Sequence, residues 1–287
     1  MKTIYISSYC VFFRDYPALY DMVRGTDDLG VELATSWTYP EFDALLDAQV
    51  QTFAHTPVTI HAPFVEICNE AGSPDALAMD RAFEKAFRWY DAFHATSMVM
   101  HTHEKAVSPG SIPQMIQLSR ENVLRAAAEA RRRGVRLTVE NVGFPAKNSA
   151  LFTQDAFVSF IESLPPEVGA LIDTGHAMAN HWDIPDLIRT LGSRIGGYHL
   201  HNTDGVHDLH RPLFEDGLWY DEDAVLRMLE TAAKYSPAAD LVLEYAPGTH
   251  ITTELLRRDA RRVQEIWHNA CDPADHHLAS APGKETT

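Results

Sequence analysis

Eight short runs of apolar and β-branched residues recur along the chain, and stretches with helical periodicity lie between many of them. Parallel strands need long crossover connections, which are usually helices. Eight such units in about 270 residues, with no long linker, predict one (β/α)8 TIM barrel. The predicted helical stretches are 75–93, 111–133, 155–164, 221–235 and 252–269. The predicted strands are 3–7, 31–34, 58–61, 98–101, 136–140, 170–173, 197–201 and 241–245.

The pattern predicts a single barrel domain over residues 1–270 and a flexible C-terminal tail over residues 271–287. Three cysteines without paired spacing argue against a disulfide framework. The N-terminus lacks the apolar core of a signal peptide, and no apolar run approaches the roughly 18 residues of a membrane span. We therefore expect a cytoplasmic protein with no membrane segment, and leave a homo-oligomer open.

The charge balance favours one class of substrate. The chain has 24 Lys and Arg residues against 40 Asp and Glu residues, a formal net charge of −16. Such a charge repels polyanions unless metals or a local basic patch reverse the field. A small metabolite is therefore a better expected partner than nucleic acid.

Acidic and histidine side chains close the predicted strands. Side chains alternate along a strand, so Thr138 and Glu140 share one face, as do Val242 and Glu244. If these faces point inward, both glutamates lie at the strand ends where TIM-barrel enzymes build active sites. Imidazole and carboxylate are the donors that zinc, manganese, iron and cobalt share. The sequence thus predicts a metal site at this rim, because four more donors close strands: His61, His101, Asp173 and His199.

The segment Tyr198–His210 strengthens this prediction, because it contains four of the fifteen histidines. Within it, Asp208 and His210 form a second pair of donors, and His176 follows Asp173 by three positions. Simpler interpretations stay open for each. A strand-end glutamate could pair with a rim Arg or Lys, Asp173 could be only a helix cap, and the Asp208 pair could be solvated.

Other residues have weaker claims on the site. His201 shares a face with His199 and could hydrogen-bond behind a metal ligand. Glu32 closes the second predicted strand and could reach the site or pair with a neighbour. Exposed polar residues are mostly only solvated, but five rim side chains could contact substrate: His61, His101, Asn69, Lys105 and Arg211.

From about residue 3 to residue 270 the chain resembles the xylose isomerase-like TIM-barrel superfamily. This superfamily includes sugar and sugar-phosphate isomerases and epimerases, and the endonuclease IV type of abasic-site nuclease (AP endonuclease family 2). Each motif alone is weak, but their order is specific. The motifs are His61-Ala-Pro, Val99-Met-His101, Val139-Glu140-Asn141, Ile172-Asp-Thr-Gly-His176-Ala, His199-Leu-His-Asn, Asp208-Leu-His210 and Leu243-Glu244.

The resemblance implies a ligand set. In the isomerases and epimerases, one catalytic divalent metal is held by residues that match Glu140, Asp173, His199 and Glu244. The nucleases hold three zinc ions, and their nine ligands match these four together with His61, His101, His176, Asp208 and His210. We therefore expect manganese, zinc, cobalt or iron, with one ion favoured and up to three conceivable. After His210 the chain departs from the common Gly-Glu-Gly pattern, so the substrate does not carry over.

Two activities follow from the resemblance. The favoured one is isomerisation or epimerisation of a small sugar or sugar phosphate through an enediolate. Glu140 and Glu244 would be acid and base, and His176 would orient hydroxyls. The alternative is a zinc-dependent phosphodiesterase acting on abasic DNA or a small phosphodiester with several metals. A non-enzymatic binding barrel has no feature in its favour.

Overall fold

A closed barrel of eight parallel strands forms the centre of the molecule, with the strands in chain order around it. The computed structural model describes residues 2–248 and 250–271. The predicted TIM barrel is confirmed, and each predicted strand end falls within about two residues of the observed one. The strands are Ile4–Ser7 (β1), Leu29–Ala34 (β2), Val58–His61 (β3), Met98–His101 (β4), Leu137–Glu140 (β5), Gly169–Asp173 (β6), Ile195–Leu200 (β7) and Asp240–Leu243 (β8).

The helices surround the barrel. Their bounds are Tyr16–Val23 (α1), Phe42–Asp47 (α2), Pro74–Ala92 (α3), Ile112–Arg133 (α4), Gln154–Glu162 (α5), Thr174–Ala179 (α6), Ile184–Leu191 (α7), Glu222–Tyr235 (α8) and Thr253–Cys271 (α9). The five predicted helical stretches correspond to α3, α4, α5, α8 and α9. The sequence did not predict α1, α2, α6 and α7, because six to eight residues give too few turns for a clear periodicity.

Helix ends follow local side-chain chemistry. Ser73 caps α3 by accepting a hydrogen bond from the Ala76 N–H, and a proline follows in the first turn. Thr153 caps α5 in the same way. At the C-terminus of α4, Gly134 adopts the left-handed conformation (φ 71°) that ends many helices. These residues fix where α3 and α5 begin and where α4 ends.

The structure describes only the first residue of the predicted C-terminal tail. Cys271 is the last residue of α9, and residues 272–287 lie outside the described residues.

Among the described helices, none combines the length and apolar character needed to cross a membrane.

The packing of β1 against β2 depends on Gly30. A Cβ atom at this position would lie 2.6 Å from the Pro57 carbonyl oxygen and 2.7 Å from the Tyr5 ring. We predict that Gly30→Ala lowers the free energy of unfolding by about 1–3 kcal/mol, because the backbone oxygen cannot move aside freely. Denaturant unfolding followed by circular dichroism measures this. Gly110→Ala is the matched control, since a Cβ there meets nothing within 4 Å; equal stability of both variants would contradict the packing argument.

Candidate metal centre

The C-terminal ends of the strands bring the predicted donors to one buried point. Five of them are the last or nearly the last residues of their strands, and Glu244 follows β8 directly. Parallel strands in one closed barrel place these ends on the same rim. Five of the six are under 9% exposed and His101 is only partly buried: His61, His101, Glu140, Asp173, His199 and Glu244.

The Glu140 carboxylate is at the middle of the cluster. Its Oε2 lies 3.3 Å from His199 Nδ1, 3.4 Å from His101 Nε2 and 3.7 Å from His61 Nε2. Its Oε1 lies 3.3 Å from His176 Nδ1. One carboxylate therefore contacts four imidazoles, and the simpler interpretation of Glu140 as the partner of a rim Arg or Lys does not apply.

The predicted quartet is assembled around His199. Its Nδ1 lies 3.3 Å from a Glu140 oxygen, 3.2 Å from Glu244 Oε2 and 3.9 Å from Asp173 Oδ2. Donor atoms of Glu140, Asp173 and His199 all lie within 4.8 Å of one another. Metal–ligand distances of about 2.0–2.2 Å to nitrogen and oxygen allow one ion to touch donors spaced in this way.

Two further donor groups adjoin the quartet. His61, His101 and Glu140 form one of them, again with donor atoms within 4.8 Å of one another. In the other, Asp208 contacts His176 Nε2 at 3.3 Å and His210 Nε2 at 3.0 Å. The structure therefore brings all nine predicted donors together, including the Asp208 and His210 pair that the sequence alone could have left solvated.

Unsatisfied buried atoms show that the donor set fits a metal. Buried polar atoms nearly always have a hydrogen-bond partner. Among the described residues, several of the exceptions lie in this cluster: Glu140 Oε2, His176 Nδ1, His199 Nδ1 and Asp208 Oδ1. These are lone-pair donors aimed at the interior of the site. Mixed nitrogen and oxygen donors suit zinc, manganese, cobalt and iron.

Hydrogen bonds outside the centre fix the orientation of three imidazoles. His61 Nδ1 is 2.9 Å from the carbonyl oxygen of the next residue, and His101 Nδ1 is 2.5 Å from Glu104 Oε1. His210 Nδ1 is 2.9 Å from the main-chain oxygen of Glu244. Each ring thereby directs its Nε2 inward. Such outer partners set the tautomer and raise the basicity of a metal-binding imidazole.

His199 is turned the other way. Its Nε2 lies 2.9 Å from Glu32 Oε1, and Nδ1 faces the centre. Glu32 is 2% exposed, and its second oxygen accepts a hydrogen bond from the Thr59 hydroxyl at 3.3 Å. The question that the sequence left open is thus answered: Glu32 reaches the site from behind His199.

Asp173 is both a cap and a site residue. Its Oδ1 accepts a hydrogen bond from the His176 N–H at the start of α6. His201 Nε2 approaches its Oδ2 at 2.9 Å, so His201 supports the site as the sequence suggested. A Cβ atom on Gly175 would lie 2.0 Å from His201 Cε1. The glycine of the Asp-Thr-Gly-His motif therefore leaves room for this ring.

The electrostatics keep the carboxylates ionised. Burial alone would raise the pKa of Glu140, but the neighbouring His101 and His199 hold it well below its usual range. Burial would likewise lower the pKa of His101, yet Glu140 and Glu104 raise it to about 10. The same balance, with Asp208 as the main carboxylate, raises the pKa of His210 to about 9. Protons and a metal would therefore compete for the same imidazoles.

A cavity of about 260 Å³ opens above the donors. Its size suits a small molecule rather than a polymer segment. The loops after β1, β2 and β3 line one wall with aromatic rings, and the loop after β5 lines the facing wall. The aromatic wall consists of Tyr9, Phe13, Trp37 and Phe64; the facing wall includes Phe144, Lys147 and Ser149.

Three predicted substrate contacts lie elsewhere. Asn69 and Lys105 line a separate cavity on the rim, where Lys105 Nζ donates to the Cys68 carbonyl oxygen at 2.9 Å. Arg211 is paired with Glu215 and does not line the central cavity. The sequence placed these residues on the correct side of the barrel but could not show the local partners that hold their side chains.

The sequence analysis also did not predict several residues that line the cavity. Glu104, which the sequence analysis did not assign to the site, lies in the loop after β4, contacts His101 and lines the cavity. The aromatic wall was missed as well. Its signal was present, because Tyr9, Trp37 and Phe64 each lie in the loop that follows a predicted strand.

The fold agrees with a sequence comparison. The family model of the xylose isomerase-like TIM barrel matches residues 20–265, so the chain belongs to this family and the predicted membership is confirmed. No curated protein matches the sequence.

Three solved structures share the architecture. A D-tagatose 3-epimerase-like protein has a TM-score of 0.70 and 15% identity, covering 97% of this chain and 100% of that one. The IOLI protein with a bound zinc atom has a TM-score of 0.70 and 16% identity, covering 95% and 99%. A D-psicose 3-epimerase studied with D-fructose has a TM-score of 0.67 and 16% identity, covering 94% and 99%. At such identities the likeness establishes the fold.

The position of Glu32 yields a test. We predict that Glu32→Gln weakens binding of a divalent metal about 10- to 100-fold, because the neutral amide no longer supports the orientation and basicity of His199. Competition with a chromophoric chelator measures the affinity. Glu230→Gln, on the exposed face of α8, is the matched control. Identical affinities for the two variants would show that Glu32 does not support the metal ligand.

Proposed function

We propose that this protein is a divalent-metal-dependent isomerase or epimerase of a small sugar or sugar phosphate. The observation that carries the proposal is the pair Glu140 and Glu244, two buried carboxylates that each lie within 3.3 Å of the same His199 nitrogen. They lie at the C-terminal ends of strands β5 and β8, below a cavity of small-molecule size. Inversion at a sugar carbon next to a polarised carbonyl uses two such groups, one on each face, and isomerisation can use either one.

Glu140, Asp173, His199 and Glu244 would hold the ion. When bound, it supplies polarisation of the substrate's carbonyl and neighbouring hydroxyl, which lowers the cost of an enediolate. The surrounding histidines hold the pKa of both glutamates below the usual range, so both are ionised at neutral pH. One ionised carboxylate can then take the carbon-bound proton and return the same proton to the neighbouring carbon, which gives isomerisation. For epimerisation, the opposite carboxylate first takes a proton from solvent and delivers it to the other face of the carbon.

His176 has a different role. It lies between three carboxylates, with Nδ1 3.3 Å from both Glu140 and Asp173 and Nε2 3.3 Å from Asp208. Burial opposes its charge, but Asp173 and Asp208 raise its pKa well above 6.5. In a single-ion site, where His176 is not a metal ligand, this ring would orient the hydroxyl groups of the substrate.

The aromatic wall supports a sugar substrate. The Phe13 and Trp37 rings lie 4.4 Å apart between centroids, and Phe64 packs against both. Such rings provide an apolar face for the C–H groups of a sugar and exclude water from the reacting carbons. The solved epimerases of similar fold support the same class of substrate.

A second candidate is metal-assisted hydrolysis of a phosphodiester. The observation in its favour is the group His176, Asp208 and His210. A single ion held by the quartet would not need these three residues as ligands. Together with the other six donors it could hold several ions around a scissile phosphate. The net charge of −16 disfavours duplex DNA, so a small phosphodiester would be the substrate.

Metal content separates the two candidates. For the isomerase or epimerase we expect about one tightly held divalent ion per chain after dialysis, because the quartet alone offers four donors to one point. Plasma mass spectrometry on untagged protein gives the number. About three zinc ions per chain would instead favour the phosphodiesterase.

Deuterium exchange tests the chemistry itself. Metal-loaded protein in D2O should introduce deuterium at a carbon of at least one sugar in a panel of ketoses, aldoses and their phosphates. Glu244→Gln should slow this exchange by about 100-fold or more at saturating metal, because the proton-transferring carboxylate is lost. Glu230→Gln should leave the rate unchanged. No exchange into any sugar, together with cleavage of a phosphodiester, would overturn the proposal.

A further inference from the structure

The central cavity has two chemically different walls. In a closed eight-stranded barrel, β5 lies across from β1, so the loops after these strands face each other over the metal centre. The loops after β1 to β3 carry the aromatic wall. The loop after β5 carries Lys147, the only Lys or Arg among the described residues that line the cavity.

The Lys147 ammonium group has no partner within the described part of the chain. No described carboxylate lies within 4.0 Å of its Nζ, and it makes no hydrogen bond there. Other basic groups near the rim are engaged: Arg14 pairs with Glu41, Lys105 binds a main-chain oxygen and Arg211 pairs with Glu215. Lys147 is exposed, so its ammonium group is accessible to a ligand at the mouth of the cavity.

Three hydrogen bonds hold the loop that carries Lys147 in place. His103 Nε2 is 2.7 Å from the Ser149 carbonyl oxygen, and Val107 N donates to the carbonyl oxygen of Asn148 at 2.7 Å. From α6, Asn180 Nδ2 donates to the carbonyl oxygen of Gly143 at 2.7 Å. The backbone position of Lys147 is therefore set before any substrate binds, which reduces the entropy that binding would cost.

We propose that Lys147 binds an anionic group of the substrate, so that the natural substrate is a sugar carrying a phosphate or a carboxylate. This rests on the proposed function, because it assumes that a sugar occupies the cavity with its reacting carbons at the metal. The ligand would lie with C–H groups against the aromatic wall and its anionic end at the loop after β5. The ammonium group is a compact point charge that suits either anion.

Binding measurements on a matched set of ligands test this without turnover. D-fructose, D-fructose 6-phosphate and D-fructuronate differ only at the sixth carbon. Calorimetric titration of the metal-loaded wild type should give tighter binding, by about 10-fold, for one or both anionic ligands. The phosphate and carboxylate arms show which anion the loop selects.

Variants at position 147 identify the responsible group. Lys147→Met should remove the tenfold preference and leave the affinity for D-fructose unchanged, while Lys147→Arg should retain most of it. Lys105→Met is the matched control, because Lys105 lines the separate rim cavity, and it should behave as the wild type.

Three results would overturn the inference. They are equal binding of all three ligands to the wild type, an anion preference that persists in Lys147→Met, or an equal loss of affinity for all three ligands in that variant. These binding results can be distinguished from failure of the proposed function, because the proposed function is tested by deuterium exchange and this inference by ligand affinity.

Discussion

The contact of the Glu140 carboxylate with four imidazoles is the interaction on which the site depends. A charge buried at the centre of a barrel is costly unless opposite charges or a metal surround it. Here His61, His101, His176 and His199 lie within 3.7 Å of its two oxygens. Each donor comes from a different strand or, for His176, from the helix that follows one. The closed hydrogen-bonded barrel therefore sets the spacing of the donors, and no flexible loop has to bring the quartet together.

A second layer of residues converts this cluster into a defined coordination site. Glu104 and Glu32 stand behind His101 and His199, and His201 stands behind Asp173. These partners determine which nitrogen or oxygen faces the centre. His199, like His176, presents Nδ1 to Glu140. For His199 this follows from the position of Glu32 on β2, where it contacts Nε2. Substitutions in this layer would change the affinity for the metal, although these residues do not bind the metal themselves.

The sequence was sufficient to predict the barrel and the side chains that converge at its rim, because both leave a periodic signal. Strand ends recur at regular intervals. Burying a histidine or an acid at the end of an apolar run costs free energy unless the side chain has a partner there. Short helices such as α2 and α6 left no such signal. The partners of individual side chains could not be predicted either. Arg211 pairs with Glu215 four residues away. Lys147 lies in no recognisable motif, yet it lines the cavity. Pairings that depend on loop geometry cannot be obtained from spacing alone.

The division between strand ends and loops has an evolutionary consequence. The quartet is fixed to the barrel framework, whereas the aromatic wall and Lys147 belong to connecting loops that can vary in length and composition. Mutations in these loops can change the accepted ligand while the reactive centre keeps its geometry. The same framework can therefore acquire new specificities in small steps, each of which preserves a working metal site. Within this family, diversification would be expected to concentrate in the loops after β1, β2, β3 and β5.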